Sequence, residues 1–469
     1  MSVLDEKHKE NIFNEAKEIL SSQGVFIENK EAKLLLKKEG LKEENSKFLI
    51  PGDLIEKCLD SVPETITLYD REGNENGTLG YDNVYYDPGS AAILILDEKS
   101  GQIREAFSDD FIRFSKIVDH LGNIEVQSTA LVYQDIPKEA QDWHRLFIAL
   151  SYCHKPVVTG TFRKKSFKIM KDLLLACRNS EEDLANKPLA IFDACPSPPL
   201  KWSDLTTQSV IDAAKSMIPS EFISMPLSGA NAPITLIGSI TQHCAESLAG
   251  VVIAQLARKR APLIWGGSPA VLDMKNGTTP MGSIETMMVN IGNIEMGKFF
   301  NLPTHAYMGL SDSKLPDAQG GLESGMGSLL AALIGVNMVS GAGMLDFEST
   351  QSIEKLLIDN EIIGMAKRFI EGIKDYGQPY ALEILKDYDS TQELLSHPTT
   401  LSLFKKEIYF PSNVINRMTR DKWRTSGEKS ARENAKELMN IILNKAPVET
   451  LDTQVKKRLD KIASENLEK

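Results

Sequence analysis

The chain has 469 residues, 42% hydrophobic and 25% charged, a composition that excludes disorder or a collagen-like fibre for the whole. Its 65 Asp and Glu outnumber 53 Lys and Arg, giving a formal net charge of −12. A polyanion is repelled by such a surface, so nucleic acid is excluded as a ligand class and the acidity is read as solubility. The cysteines (Cys58, Cys153, Cys177, Cys195 and Cys244) are odd in number, scattered and without a C-x-x-C pair. They predict buried thiols in a reducing compartment, not a disulfide framework or a structural zinc site.

The N-terminus, MSVLDEKHKENIF, is charged and lacks an apolar h-region. No run of about 18 apolar residues occurs, so no membrane segment is expected and the protein is read as cytoplasmic. From Asn11 to Ser22 the residues Ile12, Ala16, Ile19 and Leu20 share one helical face, and Gly24 follows as a stop. Further helices are expected at Glu31–Lys38 and Pro51–Val62, making an N-terminal helical cap. The runs Ile66–Tyr69, Val84–Tyr86, Ala91–Leu96 and Gln102–Ala106 carry strand-type residues, with a turn at Glu98–Gly101. They predict a small antiparallel appendage, which with the cap fills residues 1–122.

From residue 123 the rhythm changes. Apolar runs begin at Ile124, Pro156, Pro188, Glu221, Pro262, Pro303 and Val336, with starts 32, 32, 33, 41, 41 and 33 residues apart. That spacing accommodates a strand, a loop and a crossover helix, which need about 30 residues. Four of the seven runs start with proline, which is tolerated as the first residue of a strand and not in its middle. Repeated βα units without a glycine-rich dinucleotide loop favour an α/β fold of the (β/α)8 TIM-barrel type over 123–400. An eighth strand is expected between Ile373 and Ser396. Residues 401–469 are read as C-terminal helices packing on the barrel.

The chain contains no P-loop, no H-E-x-x-H and no G-x-S-x-G. Gly325-Met326-Gly327 lacks the third glycine of a dinucleotide loop and sits in a helical pattern, so helix packing explains it. A D-x-H-x-x-G corrinoid-binding motif is also missing. Reacting groups of barrels sit just after the strands. Those positions hold aromatics with scattered carboxylates and few cations, a set suited to a cationic ligand held through aromatic quadrupoles. Candidate substrate-binding residues are Tyr86, Trp202, Trp265, Tyr307, Gln319, Asp346, Phe347, Glu348 and His397. Trp202, Trp265, Tyr307 and Phe347 would surround an ammonium, Asp346 or Glu348 would add negative charge, and His397 would meet a substrate carboxylate. A single aromatic at a strand end is more often core than cage, and His305 is read as a satisfied barrel histidine. No histidine spacing points to a metal.

The segments SYCHKPVVTGTF, DACPSPPLKW, PLSGANAPITLIGSITQHCAESLAGVVIAQ, PLIWGGSP and GLSDSKLPDAQGGLE resemble the trimethylamine methyltransferase family of methanogens and anaerobic bacteria. The resemblance runs over essentially the whole chain, to HPTTLSLFKKEIYFP. It implies a (β/α)8 barrel and methyl transfer to the Co(I) corrinoid (cobalamin) of a separate partner protein, with no tightly bound cofactor in this chain. The trimethylamine enzymes use pyrrolysine, whose position falls near Asp317–Gly321 here. This chain has standard residues there, so it resembles the branch that demethylates quaternary amines such as glycine betaine. A quaternary ammonium already carries a neutral leaving group, so the protein's task is positioning and desolvation. The alternatives are a tertiary amine or other methyl donor on the same barrel, including a zinc-dependent type, and a betaine-binding protein without turnover. A homo-oligomer is expected.

Overall fold

A computed structural model describes residues 2–386, 394–445 and 451–467. Its centre is a set of eight parallel strands: β1 (Tyr85–Asp87), β2 (Gln127–Ser128), β3 (Val157–Gly160), β4 (Ala190–Ala194), β5 (Ser220–Phe222), β6 (Leu263–Ile264), β7 (His305–Tyr307) and β8 (Met338–Ser340). Strands β2 to β6 pair in chain order. A parallel bridge from Trp265 to Thr304 carries the pairing from β6 to β7. Strand β7 pairs with β8, and β8 pairs with β1 through Val339 opposite Tyr86. Val126 N, just before β2, donates to Tyr86 O at 3.2 Å.

Each strand is followed by a helix: Ser108–His120, Gln141–Tyr152, Ser166–Ala176, Asp204–Ser216, Leu236–Ala257, Ile284–Phe299, Ala318–Ile334 and Ile353–Ile370 in turn. Both faces of the strands are covered, as parallel sheets require, and buried polar side chains such as Asp87, Gln127, Glu221 and His305 lie among their apolar ones. The fold is therefore α/β. Val84–Tyr86, read from sequence as part of the antiparallel appendage, is corrected: Tyr85–Asp87 belongs to the parallel set. The eighth strand expected between Ile373 and Ser396 is corrected with it. Residues 373–386 and 394–396 contain no strand, and 387–393 lie outside the described residues. The reason is physical. A three-residue strand far upstream of its partner carries no periodicity, and only the free edge of β8 identifies where it docks.

The helical cap is present as Glu6–Ser22, Lys30–Lys38 and Gly52–Leu59. Ile12, Ala16 and Leu20 repeat at i, i+4, i+8 on the buried face of the first, and Asp5 caps it by accepting from His8 N. The cap shares one core with helix Leu236–Ala257. That helix is long and apolar enough to cross a membrane, but 16 of its residues are buried inside the protein, which makes it a core helix. The appendage contains the hairpins Ile66–Tyr69 with Glu75–Leu79 and Leu94–Leu96 with Ile103–Glu105. Among the C-terminal helices, Ala431–Lys445 and Thr453–Leu467 bury Ala435, Met439, Leu459 and Ala463 against the main core.

Candidate active site

The C-terminal ends of the parallel strands surround a cavity of about 330 Å3. Ser90 and Ala91, just after β1, form one wall, and Phe162, after β3, forms another. Arg145 enters from helix Gln141–Tyr152, Asp193 from the end of β4, Tyr307 from β7 and Glu348 from the loop after β8. Asp193 accepts from Ser90 Oγ at 3.1 Å through Oδ2, while its Oδ1 has no hydrogen-bond partner. Tyr307 is pinned at its hydroxyl, which donates to Ser90 O (2.9 Å) and accepts from Ser90 N (3.3 Å). Its ring wall is thereby fixed without using the ring face.

Below the cavity lies a polar chain in the strand interior. Asp87 accepts from Ser340 Oγ and from Gly89 N, each at 2.5 Å. His305 Nε2 is 2.9 Å from Ser340 Oγ and 3.4 Å from Glu221 Oε1. When Ser340 donates to the Asp87 carboxylate it accepts from His305 Nε2–H, which leaves His305 Nδ1 bare. Glu221 is fully buried; among the described residues no N–H or hydroxyl donates to either oxygen, and its carboxyl meets that of Asp193.

Burial pushes these groups toward their neutral forms. The Asp87 carboxyl is pushed up to about 7 by burial, against the lowering bond from Ser340. Asp193 is pushed up to about 8 by burial and then by the nearby Asp87 charge. Glu348 is pushed up to about 8 by burial and by Asp312. Glu221 is raised well above the usual range by burial and by Asp193. His305 is pushed down to about 3 by burial and is therefore neutral. Arg145 is lowered to about 10 by burial and stays charged.

A stability prediction follows from linkage. Each raised carboxyl keeps a proton in the folded state that the unfolded chain has lost above about pH 4, so its stabilising share falls as pH rises toward 8. Below pH 6.5 the buried neutral His243 and His305, both pushed down to about 3, oppose this trend because the unfolded chain protonates them. Between pH 6.5 and 8 the carboxyls act without that opposition, at up to about 1.4 kcal/mol per pH unit for each one still protonated. Urea midpoints of the ligand-free protein should therefore fall from pH 6.5 to 8. A flat profile would show that these carboxyls are ionised throughout.

The loop that delivers Glu348 is strained. Asp346, Phe347 and Glu348 are consecutive non-glycine residues with φ of 51°, 54° and 68°. Left-handed backbone costs roughly 1–2 kcal/mol per such residue, and strain of this kind concentrates at functional sites.

Of the nine sequence candidates, Tyr307 and Glu348 line the cavity together. Phe347 and Asp346 lie in the same loop but face Lys314, whose Nζ is 3.9 Å from the ring centroid and 3.3 Å from Asp346 Oδ1. Tyr86 alternates to the helix side of β1, where its hydroxyl donates to Ser328 O at 2.9 Å. Trp202 is fully buried against Phe222, and its Nε1 donates to Glu246 O. Trp265 packs on Phe300 and His243, with Nε1 donating to Asn293. Both tryptophans are therefore core side chains of the helix layer, with their N–H groups satisfied. Gln319 is exposed at the start of helix Ala318–Ile334 and donates to Glu323. His397 caps helix Pro398–Glu407, accepting from Thr399 N. Trp202→Ala should accordingly cost about 3–5 kcal/mol of stability in a urea titration. Trp202→Phe should leave ligand affinity unchanged, an outcome a cage residue would not give.

Arg145, Phe162, Asp193 and Glu221 were absent from that set. Asp193 had a signal, an acidic residue ending the apolar run PLAIFDA. Arg145 had none, because a charged residue in a helical pattern reads as solvent-facing. Among the described residues, no three His, Cys, Asp or Glu side chains group so as to hold a metal ion.

The model of the trimethylamine methyltransferase family matches residues 1–466. The chain belongs to the trimethylamine methyltransferase family. It is 29% identical to the trimethylamine methyltransferase MttB of Desulfitobacterium hafniense over 96% of this chain and 90% of that one. The Methanosarcina thermophila trimethylamine methyltransferase MttB is also 29% identical, over 94% and 92%. A glycine betaine methyltransferase of Desulfitobacterium hafniense is 25% identical over 98% and 95%. The crystal structure of the Methanosarcina barkeri monomethylamine methyltransferase aligns with a TM-score of 0.58 at 10% identity, over 94% of this chain and 88% of that one, a likeness of fold. As a member of this family the chain is a methyltransferase, an enzyme.

Proposed function

We propose that this methyltransferase takes a methyl group from a quaternary amine and delivers it to the Co(I) corrinoid of a partner protein. One observation carries the reading: a cavity at the strand ends sets Asp193 and Glu348 beside the fixed ring of Tyr307, with Phe162 on a further wall. Such walls suit an ammonium, through charge and through the ring faces. A quaternary ammonium already carries a neutral leaving group, so its displacement needs no proton from Asp193 or Glu348, the wall carboxyls that burial favours as neutral acids. The partner's corrinoid would supply the nucleophile. This chain's residues bind the donor, hold one methyl toward the opening and keep water from the rest of it.

The eight parallel segments are read as a closed (β/α)8 barrel that starts at Tyr85, earlier than the 123–400 limits expected from sequence. The parallel pairings from β2 to β1 and the Val126–Tyr86 hydrogen bond support closure. The active ends of the strands then lie where barrel enzymes place their chemistry. The protein would work in the cytoplasm as a homo-oligomer.

The test is spectroscopic. The purified protein is mixed with reduced Co(I) cobalamin or a corrinoid protein, and tetramethylammonium, glycine betaine and trimethylamine are added separately. Enzyme-dependent loss of the Co(I) absorbance with a quaternary amine is the expected result. Loss with trimethylamine alone would replace the donor by a tertiary amine. No loss with any donor would leave a binding protein.

A further inference from the structure

The cavity's charge balance bears on which amine enters. Arg145 is the cation among its lining residues, and two of its five N–H groups are taken by backbone carbonyls. Its Nη1 donates to Thr129 O at 2.8 Å and its Nε to Gln141 O at 3.2 Å. Phe162 covers its guanidinium, with 4.4 Å between the guanidinium carbon and the ring centroid, and Asp142 and Asp193 lie close enough to offset its charge. Against this one cation stand Asp193 and Glu348 on the wall, with Asp87 and Glu221 beneath. Glu221 is fully buried, its carboxyl meets that of Asp193 with Asp87 nearby, and among the described residues no N–H or hydroxyl donates to either of its oxygens. A buried pair of carboxyls without a cation is stable with a proton on the pair, or as two anions only when a cation arrives.

We propose, resting on the methyltransferase reading above, that the donor is a net-cationic ammonium without a carboxylate, and that its binding between Asp193 and Glu348 expels a proton from this acidic set. On entry one carboxyl O–H bond breaks, the proton passes to solvent, and the carboxylate left behind is balanced by the ammonium. A zwitterionic betaine would bring its own carboxylate into a space already over-supplied with them, where Asp142 and Asp193 already offset the charge of Arg145. The groups facing Asp193 are Asp87 on β1, Arg145 on its helix, Cys195 after β4 (which faces Glu348 as well), Glu221 on β5, Tyr307 on β7 and Ser90 after β1. Those facing Glu348 are Ser268 after β6, Asp312 after β7 and Tyr307. Of these only Arg145 is a cation, so an ammonium has few competitors for the negative charge. The raised carboxyls described above place the titration between pH 6 and 8.

Calorimetric titration of the whole protein with tetramethylammonium and with glycine betaine, at pH 6 and pH 8 and in two buffers of different ionisation enthalpy, tests this. Tetramethylammonium should bind at least tenfold more tightly at pH 8 than at pH 6, with net proton release at pH 6, and at least tenfold more tightly than glycine betaine at pH 8. Asp193→Asn or Glu348→Gln should flatten that pH dependence. Tighter binding of glycine betaine, or tetramethylammonium binding that is equal at both pH values in the unaltered protein, would overturn the proposal. The Co(I) assay separates the two readings. Methyl transfer from glycine betaine with pH-independent binding defeats the cation inference and keeps the methyltransferase reading. Proton-linked binding of tetramethylammonium without transfer from any donor does the reverse.

Discussion

Asp193→Asn should lower kcat/KM for methyl transfer from a quaternary amine by on the order of 100-fold, about 2.7 kcal/mol of transition-state stabilisation. Asn matches Asp in shape and can still accept from Ser90 Oγ through its carbonyl oxygen, as Asp193 does at 3.1 Å. The substitution therefore removes a titratable group and little packing. What is lost is the ability to become an anion next to the ammonium. Removing one partner of a close, desolvated charge pair typically costs roughly 2–5 kcal/mol. The lower part of that range applies here, because Asp193 is only partly shielded on the cavity wall and Glu348 remains as a second carboxyl. Thermal stability should hold or rise slightly, since a carboxyl that burial disfavours as an anion has been made permanently neutral. Steady-state kinetics beside a melting curve would distinguish this from simple misfolding. Unchanged kcat/KM would remove Asp193 from the site.

Gly327→Ala should destabilise the fold by about 3 kcal/mol or more, whereas Gly325→Ala, two residues earlier in the same helix, should stabilise it by roughly 0.5–1 kcal/mol. Both glycines lie in Ala318–Ile334, where alanine is the better helix former. They differ in what a methyl group would meet. At Gly325 no atom lies within 4 Å. At Gly327 a Cβ would stand 1.9 Å from Met308 O and 3.0 Å from its carbonyl carbon. That obstacle is backbone just past β7 and cannot rotate aside, so the helix must move off the strand. The same movement would shift Tyr307, one residue before Met308, so ligand affinity should fall along with stability. Urea titrations of the two variants check the pair. Equal effects would show that helix propensity alone governs both sites.

How much of this was legible in the sequence depends on the element. The spaced apolar runs, four of them opening with proline, announced seven of the eight parallel strands, because each strand, loop and crossover helix takes a similar length of chain. The cap helix Glu6–Ser22 was legible from Ile12, Ala16 and Leu20, since burial on one face imposes its own period. The long motifs near Asp193, Trp265 and Asp317 were enough to suggest the family that the comparisons then established.

Other matters were settled only by the tertiary structure. Strand Tyr85–Asp87 is too short to have a period, and its place beside β8 is a long-range pairing with no local signature. Trp202 and Trp265 were cage candidates from sequence, although a single aromatic at a strand end is more often core. Their Nε1–H groups find acceptors on Glu246 and Asn293 in the helix layer, which decides for core. Arg145 carries no local signal of a buried role, and the fold turns it beneath Phe162. The sequence by itself determined the repeated βα architecture and the kind of chemistry, because both are written in local periodicity and in long contiguous motifs. Only the tertiary structure decided which side chains meet in the cavity, because Asp87, Arg145, Asp193, Glu221, Tyr307 and Glu348 come from six separate segments, and burial, with neighbouring charge at Asp193 and Glu221, sets their protonation.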